Sequence, residues 1–199
     1  MKESAGKLFR QLLGRDGIIV APHAYDAFSA RLIEEAGFKA VLVGGSSINW
    51  VMGYPDGEAT RTEYLGRVRE ITGVLGIPVR VDIETGFGSG SALDLMRTIK
   101  ECERIGVGAV QCEDHVTAVK NQLSIVKQVG FNGAYVVPKE EMLKKIEAGL
   151  EAREDKDLVF IVRTDARPRY GLEEALERGR AYAKAGADMI VIHSLQSVD

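Results

Sequence analysis

Asp82 and Glu84 stand two residues apart at the end of the apolar run Val79-Arg80-Val81, and Gly86 and Gly88 follow almost at once. If that run is a strand, side chains two apart share a face, so two carboxylates project side by side from one strand end. Like charges held that close repel, and a hard divalent cation with oxygen ligands offsets the repulsion. The glycines let the backbone turn sharply beside whatever is bound. A solvated strand end can also carry two acids, so the company the motif keeps has to decide its meaning.

That company is rich in charge. Glu113 ends the apolar run Ala109-Val110-Gln111-Cys112 and opens Glu113-Asp114-His115; on a neighbouring strand it reaches the same ion, directly or through water. Arg163 follows Val159-Phe160-Ile161-Val162, where a guanidinium grips a carboxylate or phosphonate through two parallel hydrogen bonds, or else pairs with Asp165 or Asp82. His193 ends Ile190-Val191-Ile192, and His23 follows another apolar run; each is a catalyst or a satisfied structural residue. Tyr25, Gly45 and Ser46, with Gly44 and Ser47, offer hydroxyl and backbone N–H donors to an anion, although such residues also make plain turns. Asp56 lies in the turn sequence Gly53-Tyr54-Pro55-Asp56-Gly57-Glu58. Between Asp114 and Pro138 run about 24 residues without core periodicity, long for a βα connection and of the kind that gates a site. This stretch carries Lys120 and Asn121, a cation and an amide for an anionic substrate.

These residues need elements to position them. Met1 to Arg15 has a helical pattern with Leu8, Leu12 and Leu13 on one side. Short apolar runs at Gly17 to Pro22, Ala40 to Gly44, Val79 to Asp82, Ala109 to Glu113, Val159 to Arg163 and Met189 to His193 read as six buried strands. Helical patterns alternate with them at Asp26 to Ala36, Arg61 to Leu75, Ala92 to Ile105, Lys139 to Arg153 and Leu172 to Ala185; the first has Phe28, Leu32, Ile33 and Ala36 as its inner stripe. Gly37, Gly76, Gly106 and Gly186 each fall between a helix and the next strand, where a left-handed C-cap is expected. Strands apolar on both faces and linked by helices make a parallel α/β sheet, either doubly wound or a (β/α) barrel. No G-x-G-x-x-G marks the first βα junction, and functional side chains gather at successive strand ends, which is the barrel layout. A closed barrel takes eight strands and about 250 residues. Six strands in 199 residues therefore read as a single barrel domain truncated to about six of eight βα units, or one completed from elsewhere.

Bulk properties narrow the function. The 45% hydrophobic and 28% charged content is that of a globular protein, and a formal net charge of -3 without a basic patch argues against nucleic acid as a partner. No apolar run approaches the ~20 residues of a membrane span, and the N-terminus has no signal-type apolar segment, so a cytoplasmic location is expected. Cys102 and Cys112 lack metal spacing and read as buried thiols.

Taken together, Ala21-Pro22-His23-Ala24-Tyr25-Asp26-Ala27, Gly44 to Asp56, Val81 to Gly88, Cys112-Glu113-Asp114, Arg163-Thr164-Asp165-Ala166 and Ala185-Gly186-Ala187-Asp188 resemble the isocitrate lyase/phosphoenolpyruvate mutase superfamily, in the order that family has them. The resemblance implies a (β/α)₈ barrel, Mg²⁺, and chemistry through the enolate of pyruvate or a related 2-oxo acid. It implies Asp82, Glu84 and Glu113 as metal-binding positions, Asp56 acting through water or at the reacting group, and Gly45, Ser46 and Arg163 as carboxylate-binding positions. Where the family usually has Asp, this chain has Glu84. The family's isocitrate and methylisocitrate lyases carry Lys-Lys/Arg-Cys-Gly-His in their loop, whereas this chain reads Val119-Lys120-Asn121-Gln122-Leu123-Ser124. Lys120, Asn121 and His193-Ser194 look more like the phosphonomutases and phosphonopyruvate hydrolases, in which they would surround a transferring phosphoryl group. The resemblance thus implies a small anionic substrate, a 2-oxo or phosphono acid, in a homo-oligomeric enzyme of phosphonomutase type. The alternatives are a C–C lyase or 2-oxo acid decarboxylase of the same superfamily and a non-catalytic homologue whose open sheet edges serve assembly.

Overall fold

Side-chain caps start the helices close to where the sequence places them. In the computed structural model, which describes residues 3–116 and 135–195, Ser4 caps α1 (Ala5–Leu13), and Asp26 closes a capping box on α2 (Ala27–Glu35). Thr60 does the same for α4 (Arg61–Val74), and Ser91 caps α5 (Ala92–Arg104). Each such cap satisfies a backbone N–H that the helix cannot pair internally. The short α3 (Gly45–Val51), α6 (Lys139–Ala152), the single turn α7 (Arg167–Tyr170) and α8 (Leu172–Lys184) complete the helices among the described residues.

Five parallel strands, β1 (Val41–Val43), β2 (Val79–Asp82), β3 (Ala109–Glu113), β4 (Val159–Thr164) and β5 (Met189–Ile192), lie side by side in chain order. A doubly wound sheet reverses its strand order at a switch point; here every crossover advances in one direction. The main connecting helices α2, α4, α5, α6 and α8 touch one another in sequence, as in the outer layer of a barrel.

The strands' two faces differ. Val41, Val43, Val79, Val81, Val110, Cys112, Phe160 and Val162 pack against the helices. On the opposite face, Ala109, Val159 and Ile161 meet Phe9 and Leu12 of α1. That helix sits close against the β4 side: a Cβ on Gly6 would lie 2.5 Å from the Asp157 carbonyl carbon. Further along this face, apolar residues give way to polar ones: Asp82 is registered with Gln111, and Glu113 with Arg163, toward the strands' C-terminal ends. The fold thus closes one end of this face with an apolar plug and leaves the charge at the other.

Three expectations need correction. Gly17 to Pro22 is not a buried strand: Ile18 and Val20 are 90% and 55% exposed, and contact with β1 is limited to a bridge from His23 to Leu42 and flanking backbone bonds. Its period of two survives, because Ile19 and Ala21 pack toward Phe9 and Leu12, but Pro22 has no N–H with which to extend a ladder. On α2 the buried residue is Ala30, with Ile33 packed beside it; Phe28, Leu32 and Ala36 are exposed, so the inner stripe is rotated from the expected one. Gly37, Gly106 and Gly186 adopt positive φ, whereas Gly76 does not, because α4 ends through an extended Leu75 and the Gly76 N–H donates to Glu34 Oε1. Among the described residues no helix is long and apolar enough to cross a membrane.

Candidate active site

β2 delivers Asp82 but not Glu84, since the strand ends at Asp82 and Glu84 turns into the left-handed region at φ 56°. The two carboxylates are therefore not the i, i+2 pair that strand geometry suggests. Asp82 Oδ1 instead accepts the Glu84 N–H at 2.9 Å, and its Oδ2 accepts from Gln111 Nε2 at 3.0 Å. A left-handed non-glycine residue costs about 1–2 kcal/mol, so its surroundings must hold it. They do: the Glu84 carbonyl accepts the Glu113 N–H, Lys145 Nζ reaches from α6 to the Thr85 carbonyl at 2.8 Å, and Thr98 Oγ1 from α5 to the Gly86 carbonyl at 2.8 Å. The turn also brings the Glu84 carboxylate against Gly45, where a Cβ would meet Glu84 Oε1 at 1.8 Å.

Glu113, at the end of the fully buried β3, meets Arg163 Nη1 through Oε1 at 2.6 Å and His115 Nδ1 through Oε2 at 2.9 Å. Arg163 also reaches Asp165 Oδ1 through Nη2 at 2.6 Å and lies 3.8 Å from Asp82 Oδ2. Both readings of Arg163, gripping hand and structural partner, thus concern one guanidinium already engaged by acids. Burial works against its charge, but Glu113 and Asp165 outweigh that and raise its pKa. For Asp165, burial pushes the pKa up, yet the His115 hydrogen bond and the Arg163 guanidinium hold it below the usual aspartate range.

Among the described residues, the group able to converge on one metal ion is Glu84, Glu113 and His115, whose ligand atoms lie within 4.8 Å of one another. All three are buried. Asp82 stands beside this group, its oxygens turned to the Glu84 backbone and Gln111. Carboxylate oxygens suit a hard divalent cation, and an imidazole nitrogen is a further donor, so the residues fit a divalent ion. A cavity of about 410 Å³ opens onto Glu84 and His115 and is bounded also by Gly45, Asn49 and Tyr64.

The other expected residues fall around this centre. Gly45 and Ser46 begin α3 rather than a loop, Asp56 is buried next to the cavity-lining Gly57, and Tyr25 is 44% exposed. His193 is exposed just past β5, its N–H donating to the Thr164 carbonyl. Lys120 and Asn121 lie outside the described residues.

Sequence reasoning did not single out several residues that build the site. His115 was visible only as part of a polar strand end. Asn49 joins α3 to the following loop, donating to the Gly45 carbonyl at 2.7 Å and accepting the Ala59 N–H at 2.6 Å. Asp114, fully buried, accepts from Thr164 Oγ1, Tyr182 Oη, Arg178 Nη1 and the Asp165 N–H, which ties α8 to the ends of β3 and β4. Burial raises its pKa against those donors. Only the adjacency of Asp114 to Glu113 hinted at this.

A singly wound parallel βα array with its charged groups at the strand ends defines the class: an α/β protein of TIM-barrel type. The family model for phosphoenolpyruvate phosphomutase matches residues 9–199, and the chain belongs to the isocitrate lyase/phosphoenolpyruvate mutase superfamily. It is 42% identical to a 2,3-dimethylmalate lyase of Eubacterium barkeri over 93% of this chain and 62% of that protein. It is 38% identical to a 2-methylisocitrate lyase of Aeropyrum pernix over 99% of this chain and 61% of that protein. A solved phosphonopyruvate hydrolase in complex with oxalate and Mg²⁺ superposes with a TM-score of 0.83 at 31% identity, covering 98% of this chain and 64% of that one. The chain therefore spans less than two thirds of the length of the curated relatives it matches.

Proposed function

We propose that this chain carries the metal-binding and substrate-facing strand ends of an enzyme that makes or breaks a bond beside the carbonyl of a small 2-oxo acid. The observation that carries this reading is the convergence of Glu84, Glu113 and His115 beside a cavity sized for a small anion, which Glu84 and His115 border. Glu84 and Glu113 hold a divalent cation, Mg²⁺ in the first instance, and Asp82 fixes the Glu84 backbone. When bound, the cation supplies Lewis acidity for the oxygen on which negative charge develops. Arg163 exchanges part of its hold on Glu113 and Asp165 for a substrate carboxylate. Gly45 and Ser46 supply backbone N–H donors, Tyr25 a hydroxyl at the rim, and Asp56 and His193 stand as acid–base candidates. Lys120 and Asn121 belong to the same reading as groups that would face the reacting end of the substrate. A cytoplasmic homo-oligomer is part of the proposal.

Cleavage of a C–C bond is favoured, because the relatives at 42% and 38% identity are named lyases. The preference for a phosphonomutase rests mainly on Lys120 and Asn121. P–C chemistry is the second reading, supported by the phosphomutase family model and the phosphonopyruvate hydrolase likeness. Incubation with Mg²⁺ and either 2,3-dimethylmalate or phosphonopyruvate separates them. Pyruvate released from the hydroxy diacid supports the first, and loss of the phosphonate resonance in phosphorus NMR supports the second. Turnover of either that survives Glu113→Gln unchanged would place the chemistry elsewhere.

A further inference from the structure

His115 gives the acidic pair a nitrogen donor that the expected all-oxygen set lacks. We infer that His115 is a direct ligand of the cation and that it shifts the site's preference from Mg²⁺ toward cations that accept imidazole, such as Co²⁺ and Zn²⁺. This rests on the divalent-cation reading above and adds to it both a ligand and a selectivity.

Geometry is the first support. His115 Nδ1 lies 2.9 Å from Glu113 Oε2. Adjacent ligands on an octahedral ion with bonds of about 2.1 Å stand about 3 Å apart, so the two atoms already have the spacing of neighbouring ligands. Glu84 completes the group within 4.8 Å.

Placement is the second. His115 is 4% exposed yet borders the cavity, and it stands two residues past the end of β3, bridged in antiparallel fashion to Val136. Its position is therefore set by backbone pairing. Asp165 Oδ2 lies 3.6 Å from the same Nδ1, so this nitrogen faces two carboxylates at once, a setting that a cation in place of a shared proton satisfies.

Ligand chemistry is the third. Mg²⁺ favours oxygen donors and keeps several waters, whereas imidazole raises affinity for the later first-row divalent ions. Two carboxylates and one imidazole form a mixed set of that kind. The rival role is a hydrogen-bond bridge between Glu113 and Asp165 that leaves the ion to oxygen alone.

The test uses the full chain stripped of metal. Calorimetric titration with Co²⁺ and with Mg²⁺ is paired with the visible spectrum of the Co²⁺ form and with pulsed EPR of the Mn²⁺ form, which detects directly bound nitrogen. The expected result is tighter Co²⁺ than Mg²⁺ binding and nitrogen modulation on Mn²⁺. In His115→Gln, which keeps an oxygen donor, Co²⁺ affinity falls at least about tenfold with a shifted visible band, and Mg²⁺ affinity changes less. An unaltered Co²⁺ affinity and spectrum in a folded His115→Gln would overturn the inference. If that variant does not fold, absence of nitrogen modulation in the wild type overturns it alone. Should the wild type bind no divalent ion at all, the proposed function fails as well, an outcome distinct from Mg²⁺ binding without nitrogen.

Discussion

The Glu84 carboxylate occupies the space that a side chain at residue 45 would fill: a Cβ built on Gly45 lies 1.8 Å from Glu84 Oε1. The first residue of α3 thus sets how far the candidate ligand can retract, and absence of a side chain there is a feature of the site rather than of the turn.

Gly45→Ala should therefore separate binding from folding. The atom it strikes is the end of a flexible side chain, and Gly45, the first residue of α3, has negative φ that alanine adopts without strain, so the urea midpoint should hold. Divalent-ion affinity should fall about tenfold or more as Glu84 is displaced, comparable to loss of an outer supporting group. Calorimetry beside urea denaturation reads both, and unchanged affinity would show that Glu84 has room the structure does not give it.

Arg163→Met should be costly for a different reason. The guanidinium holds Glu113 and Asp165 at 2.6 Å each with only 17% of its side chain exposed. Removing one partner of such a buried arrangement costs about 3–5 kcal/mol, because the acids left behind are poorly solvated. Adding Asp165→Asn should recover part of the loss, and a double-mutant cycle in urea measures the coupling. Strict additivity would mean that the two side chains do not interact.

Both cysteines should be inert in the native protein. Cys102 and Cys112 are fully buried, and burial pushes the Cys112 thiol up to about 11. Since the thiolate is the reacting form, alkylation at mildly alkaline pH should label neither residue until denaturant is added. The folded protein's labelling should stay flat as pH rises across the range where an exposed cysteine ionises. Rapid labelling of Cys112 without unfolding would contradict the packing of β3.

The sequence is explicit about elements whose ends carry local chemistry. The expected helix at Arg61 to Leu75 is found at Arg61–Val74 and that at Leu172 to Ala185 at Leu172–Lys184, because caps and glycines act on the nearest backbone bonds. The Gly17 to Pro22 run and the stripe on α2 depart from expectation for the opposite reason. Whether an apolar residue is buried depends on what packs beside it, and nothing in Ile18 or Phe28 itself says that.

Within the site, Glu113 and Arg163 were each legible as strand ends of one rim, but their ion pair was not, since Asp165 and Asp82 were the partners expected for Arg163. Glu84 was legible by type but not by position, since period-two reasoning fails once φ turns positive. The contact of His115 with Glu113 has the two-residue spacing of one strand face, so the period-two argument that fails for Glu84 would have found it.

Crystals grown with Mn²⁺ and oxalate would test the central claim most directly, through the anomalous signal of the metal. The account predicts one strong peak between the Glu84 and Glu113 carboxylates, with oxalate bound beside it on the cavity side. A peak held by other residues, or no peak under saturating Mn²⁺, would contradict it.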